Sequence, residues 1–305
     1  MKGNRIDKVA TAACLTALCF WSLGPILIAY LADSVGSWTQ NALRYTVGCL
    51  FWLPVLLYFV RTGRFDRRTW RLALWPAAAN LGMQALWAES FYHIGPAFAV
   101  LLSKTSVLWV AAFSLIFFPD ERPLARSRRF WVGLSLSAAG VFGVICFKED
   151  FAATGTIFGV MIGLACAVMW AVYTLAVKIK LRETDARASF AVVSLYTAIG
   201  LWAGAFIFGD PKPCTTMGVG PWVAVVVSSV TAISLAHVFY YVAIQRIGTT
   251  IPLIVVLSQP LLVFGMSSVV FGERLNGLQL FFGLLLLFGA GISVWAQEHL
   301  KRRRS

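Results

Sequence analysis

Apolar positions in this chain gather into ten long runs, and short polar stretches punctuate them. The runs are Ala10–Leu31, Thr39–Val60, Leu72–Ile94, Ala97–Phe118, Phe130–Phe147, Thr156–Val177, Ala188–Phe208, Pro221–Val242, Thr249–Phe271 and Leu278–Ala296. About 20 mostly apolar residues span a hydrocarbon core roughly 30 Å thick, so each run predicts a transmembrane helix. The connections are a few residues long and leave no room for a soluble domain. The pattern also occurs twice. Val100 to Pro123 is an apolar helix stopping at Asp120-Glu121-Arg122, and Pro252 to Asn276 is another stopping at Gly272-Glu273-Arg274. Phe20-Trp21-Ser22 is echoed by Met169-Trp170-Ala171. Five helices form each repeat, and because five is odd the second repeat enters the membrane upside down. The expectation is an all-α integral membrane protein with ten transmembrane helices in two inverted five-helix repeats. Residues 1–150 form the first repeat, and residues 151–305 form the second with its basic tail.

Composition agrees. Of 305 residues 59% are hydrophobic and 13% charged, with a mean hydropathy of +0.77, too little polar material to coat a soluble domain of this length. The net charge of +13 raises the question of nucleic acid, and the placement of the charges answers it. With the N-terminus in the cytoplasm, the inward stretches carry Lys2, Arg5, Lys8, Arg61, Arg64, Arg67, Arg68 and Arg71. They also carry Arg122, Arg126, Arg128, Arg129, Lys178, Lys180, Arg182, Arg187, Arg246 and Lys301 to Arg304. Outward stretches hold only Lys148, Lys212 and Arg274. That is the positive-inside bias, which puts both termini in the cytoplasm and makes anionic lipid, not nucleic acid, the partner of the basic tail. The first run is too long for a cleaved signal and lacks a small-residue cleavage site, so it is expected to be retained.

Chemistry-bearing residues are sparse. The six cysteines, Cys14, Cys19, Cys49, Cys146, Cys166 and Cys214, include no Cys-x-x-Cys and read as packing residues. The three histidines, His93, His237 and His299, are not neighbours, which counts against an intramembrane enzyme such as a lipid-headgroup transferase. No catalytic residues, metal site or cofactor are expected. The phosphate-cradling pattern G-x-x-x-x-G-K-[ST] is missing, so nucleotide hydrolysis does not drive the protein directly.

Ionisable side chains in a helix core cost several kcal/mol and therefore stand as candidates: Arg44, Glu89, Lys104 and His237. Arg44, Glu89 and Lys104 fall roughly 8–11 Å below the outer surface at 1.5 Å per residue. The Gly95-Pro96 turn lets Glu89 and Lys104 meet, either as an ion pair fixing the hairpin or as two poles of a binding site. Arg44 either snorkels to the headgroups or joins that site. His237, beside Phe239, Tyr240 and Tyr241, is either a neutral hydrogen-bonded histidine or a proton acceptor. Trp21 and Trp170 recur at equivalent places and would form a pair of indoles facing one cavity. Gly24-Pro25, Pro54, Pro76, Pro252 and Pro260 would interrupt helices and free backbone carbonyls. Gly133, Gly140, Gly143, Gly283, Gly289 and Gly291 give the fifth and tenth helices small faces for close packing.

The residues Trp21-Ser22, Arg44, Glu121, Trp170 with Lys178, Ser258-Gln259-Pro260 and Glu273 together resemble the EamA-type members of the drug/metabolite transporter superfamily, over essentially the whole chain. Lys104-Thr105-Ser106 departs from the usual pattern, since the first half lacks the counterpart of Pro260. The resemblance implies a multi-pass transporter of the bacterial inner membrane, monomeric or homodimeric, taking a small molecule and possessing or lacking proton coupling. Export of an amino acid or related amphipathic metabolite by alternating access leads. Proton antiport of amines or cationic drugs and a lipid-carrier flippase are the alternatives. The candidate binding residues are Trp21, Arg44, Glu89, Lys104, Trp170, His237 and Tyr241.

Overall fold

The computed structural model describes residues 7–117, 119–147, 154–181, 184–247 and 250–302. The described residues are helical or lie in short turns. In the first half the helices are α1 (Lys8–Leu31), α2 (Ser37–Arg61), α3 (Arg68–Leu72), α4 (Leu74–Ser90), α5 (Pro96–Ser103), α6 (Ser106–Phe117) and α7 (Arg128–Cys146). In the second they are α8 (Thr154–Lys180), α9 (Ala186–Phe208), α10 (Pro213–Thr216), α11 (Val219–Ser228), α12 (Ala236–Ile247), α13 (Thr250–Leu257), α14 (Gln259–Val270) and α15 (Gly277–Arg302). A π-helix of 7 residues, Ser229–Leu235, joins α11 to α12. Of the charges used to orient the chain, Lys2, Arg5, Lys148, Arg182, Arg303 and Arg304 lie outside the described residues, as do the side chains of Lys178, Lys301 and Arg302.

Among the described residues, 8 helical segments are long and apolar enough to cross a membrane, and Val255–Val270 is a shorter apolar one. The third expected run became α3 and the 17-residue α4, whose Asn80, Gln84 and Glu89 shorten its apolar stretch. Outward-facing apolar side chains such as Val269, which is 86% exposed, are what a lipid-solvated surface presents.

The two halves interleave. The first half's α1 packs along α11, the π-helix and α12, while the second half's α8 packs along α4. Three further pairs match like with like: α2 with α9, α5 with α14, and α7 with α15. Two capping interactions tie the strands of this weave. Asp7 accepts from the Ala10 amide at the start of α1 (3.0 Å) and from Arg246 Nε at the end of α12 (2.9 Å). The Ala10 amide, and after it the Arg246 guanidinium, hold the Asp7 carboxyl below its ordinary value.

The pair α7 and α15 approaches backbone to backbone. A Cβ on Gly140 would sit 2.5 Å from the Leu286 amide nitrogen, and one on Gly289 would sit 2.6 Å from the Gly133 carbonyl. Ser137 Oγ donates to the Leu286 carbonyl across the same seam (3.2 Å). The small faces of these two helices therefore seal one half of the chain to the other. Gly289→Val should accordingly lower stability by about 2–3 kcal/mol, because backbone cannot yield to the added atoms. The check is thermal unfolding of detergent-purified protein; an unchanged midpoint would show that the helices can separate freely.

Pro25 and Pro54 do not interrupt their helices. Helix α1 runs 24 residues straight through Pro25, and α2 runs 25 residues through Pro54. Interruptions fall at Lys104-Thr105, between α5 and α6, where no proline stands, and at Ser258, between α13 and α14, where Pro260 opens the second helix as expected. At each, the backbone tightens by one atom register: Lys104 and Thr105 amides donate to carbonyls three residues back, and so does Ser258. Ser103 Oγ and Ser258 Oγ bond the carbonyls of Val100 and Val255 in the same way. Serine back-bonding of this kind loosens a helix at one turn.

Candidate functional site

The two interruptions meet. Lys104 lies in the first, and its Nζ donates to Gln259 Oε1 in the second at 2.7 Å. The other end of the Gln259 amide, Nε2, donates to the Trp21 carbonyl at 2.8 Å. That carbonyl is available because Pro25, four residues on, has no N–H to offer it. Proline thus acts here without breaking its helix, by leaving one acceptor for a side chain of the opposite half. The pairing also fixes the amide orientation, since an ammonium cannot accept and a carbonyl cannot donate.

An aromatic wall stands beside this polar link. The Trp21 ring is 5.2 Å from His237 and 5.0 Å from Tyr240, centroid to centroid, and His237 lies 4.9 Å from Phe190. Trp21 Nε1 donates to the Ala232 carbonyl in the π-helix (3.1 Å). His237 Nδ1 is 2.8 Å from the Ile233 carbonyl, which can only accept, so this nitrogen carries a proton. A π-helix supplies such carbonyls because its wider turn takes them out of the regular ladder. Trp21 therefore joins the two features, its carbonyl held by the Lys104–Gln259 link and its ring packed on His237 and Tyr240 of the opposite half. The chemistry of the set suits an anionic group at the ammonium and an apolar or cationic part against rings.

Other expected members are elsewhere. Glu89 does not pair with Lys104. Its carboxylate accepts from Ser37 Oγ and lies 3.0 Å from His93 Nε2, one turn along, with 35% of its side chain exposed. The hairpin did form, but α5 turns Lys104 toward α14, and the nearer partners of Glu89 are on α2 and in the turn that follows α4. Trp170 does not join Trp21. Its partner ring is Tyr173 of the same helix, 6.4 Å away, and 44% of it is exposed. Because α1 packs on α12 whereas α8 packs on α4, equivalent tryptophans are carried to different helix pairs. Arg44 does not snorkel. It is 3% exposed, bonded to Ser228 Oγ (3.0 Å) and Asn41 Oδ1 (3.4 Å). The side chains of Tyr241 and Glu121 lie outside the described residues.

Two residues escaped the sequence reading as site elements. Gln259 was visible as an amide inside an apolar run, a costly placement that signals a partner. Glu273 was read as a surface helix end. It instead reaches from the end of α14 to the start of α5, where it accepts from the Ala97 and Phe98 amides (3.0 and 3.2 Å) and from Ser267 Oγ. A carboxylate is the natural acceptor for a helix N-terminus, whose first N–H groups have no partner within the helix. An apolar groove of about 490 Å³ runs outside the Ser258 interruption, between α14 and α15, past Phe288 to Trp295. No group of three or more His, Cys, Asp or Glu gathers among the described residues.

The EamA-like transporter family matches this chain twice, over residues 8–146 and 157–295. The chain belongs to that family. A solved crystal structure of a protein is similar in fold, with a TM-score of 0.65 and 21% identity over 97% of this chain and 99% of its own. No curated protein matches the chain significantly. As an EamA-like transporter it is an integral membrane protein built of two repeats, and the convergence just described lies where elements of both repeats meet.

Proposed function

We propose that this EamA-like protein is a secondary-active exporter of a small amphipathic metabolite, an amino acid or a close relative, working by alternating access. In this reading ten spans form two inverted halves, residues 1–150 and 151–305, the excess of Lys and Arg supports cytoplasmic termini, and the membrane is the inner membrane of a bacterium. One observation carries the reading: two interrupted helices, one from each half, are bridged at their breaks by the Lys104–Gln259 hydrogen bond, with the Trp21 ring packed on His237 and Tyr240. A neutral amide is a weak partner for a buried ammonium, so a cargo carboxylate displaces it readily. Displacement breaks this one contact between the halves, which gives cargo the differential contact that a population shift requires. Burial of a cargo side chain on the rings supplies selectivity for amphipathic compounds.

The flux test uses proteoliposomes loaded with a panel of amino acids and amines, with the pH gradient imposed, removed and reversed. Saturable counterflow of an amphipathic amino acid is expected, and counterflow confined to amines lacking a carboxylate would overturn the reading. Topology is tested separately in a cysteine-free background. Asp210→Cys should react with an impermeant thiol reagent from outside cells, while tags on both termini stay protected. Labelling of the terminal tags from outside would refute the proposed orientation.

A further inference from the structure

The geometry points to Arg44, with Asn41 and Ser228, as a second anion-binding subsite, separate from Lys104 and built around a buried guanidinium that lacks an acidic partner. Arg44 is 3% exposed, and no carboxylate among the described residues lies within 4.0 Å of it. Its Nε donates to Ser228 Oγ (3.0 Å) and its Nη1 to Asn41 Oδ1 (3.4 Å). A guanidinium offers five N–H groups, so most of them have no acceptor among the described residues.

The two acceptors it does have are held in place for a permanent cation. Asn41 Nδ2 donates to the Gln84 carbonyl (2.6 Å), which turns Oδ1 toward Arg44. Ser228 Oγ donates to the Val225 carbonyl (3.1 Å), which leaves only its lone pairs for the guanidinium. Neutral dipoles orient the group and leave its charge uncancelled. A buried charge without its opposite costs several kcal/mol in a membrane interior, and the other ends of structural pairs in this chain are visibly satisfied. Asp7 has Arg246, Asp185 has Arg187, and Glu273 has a helix N-terminus. Arg44, like Lys104, has only neutral side-chain acceptors among the described residues. It sits at a junction of both halves, with Arg44 and Asn41 on α2, Gln84 on α4 and Ser228 at the end of α11. An anionic group arriving there completes the charge. The group is either a small free anion or the carboxylate of a cargo molecule.

The test reads thermal unfolding of detergent-purified protein and needs no transport activity, so it stands or falls apart from the export reading. Protein in the bulky sulfonate buffer HEPES is the reference. Sodium chloride and sodium acetate are added at matched ionic strength. A midpoint rise of about 3 °C or more at saturation is expected with at least one of them. A rise with chloride only assigns the subsite to a free small anion, and a rise with acetate assigns it to carboxylates. Either rise should vanish in Arg44→Gln. Ser228→Asp should place a tethered carboxylate at the guanidinium, keep or raise the midpoint, and remove the dependence on added anion. No rise in the unsubstituted protein, or an equal rise in Ser228→Asp, overturns the proposal even if Arg44→Gln fails to fold.

Discussion

Lys104→Met should reduce transport by about 10- to 100-fold or more while shifting the unfolding midpoint by only a few degrees. A hydrogen bond to a charged group is worth about 1.5–3 kcal/mol, and each 1.4 kcal/mol is tenfold in affinity. Methionine keeps the length and apolar stem of lysine, so packing changes little. Gln259 retains its bond to the Trp21 carbonyl, so its amide stays oriented. A second substitution separates structure from function. Gln259→Glu converts the link to Lys104 into an ion pair but gives up the bond to the Trp21 carbonyl, since a carboxylate cannot donate. The two effects on stability oppose, and the net change is small if that contact is merely structural. If Lys104 receives a cargo carboxylate, the new glutamate competes with it, and KM should rise at least tenfold with the fold intact. Full activity in both variants would remove Lys104 from the site. Flux in proteoliposomes, read beside thermal unfolding of the same preparations, decides.

Glu273→Ala should cost about 3–5 kcal/mol, the largest stability loss expected from a single change. It removes the acceptor of the Ala97 and Phe98 amides, which lie in the most densely buried part of the first half. Stripping a buried donor of its acceptor costs about 1–3 kcal/mol, and the carboxylate's interaction with the helix dipole adds about 0.3–1 kcal/mol. Gly95→Ala should be costly for a complementary reason. The backbone there is ordinary, with φ −60°, but an added Cβ would collide with the Glu273 carboxylate. Glycine is needed for that close approach and not for its conformational freedom. The two changes should therefore be strongly non-additive: once Glu273 is alanine, Gly95→Ala has nothing to strike and adds little. Additive losses in the double mutant would show that the cap is not what makes Gly95 necessary. Thermal midpoints of the two single variants and the double variant give the answer.

Much of this molecule was legible before any coordinates. Runs of about 20 apolar residues, recurring motifs and a lopsided distribution of Lys and Arg sufficed for helices in a membrane, two repeats and the family. These properties are set locally, since the bilayer judges each segment by its own length and polarity. Candidate residues followed the same logic, because a charge inside an apolar run is conspicuous whatever surrounds it. Lys104, Arg44 and His237 were visible for that reason, and Pro25 was correctly read as releasing a carbonyl.

Partnership was not legible, because it depends on which helix faces which. Reasoning from the nearest hairpin joined Glu89 to Lys104, whereas the contact between α5 and α14 gave Lys104 to Gln259, 155 residues away in sequence. Symmetry in the sequence joined Trp21 to Trp170, whereas the exchange of α1 and α8 between halves sent them to different helix pairs. Glu273 ends its own helix and begins another's hydrogen bonding, a relation that no spacing along the chain encodes. Sequence alone determined that this chain dissolves in a bilayer and carries a few expensive polar groups there. Only the packing of one half against the other decided how those groups are satisfied, because in a membrane interior a polar side chain must take its partner from whichever helix tertiary structure places beside it.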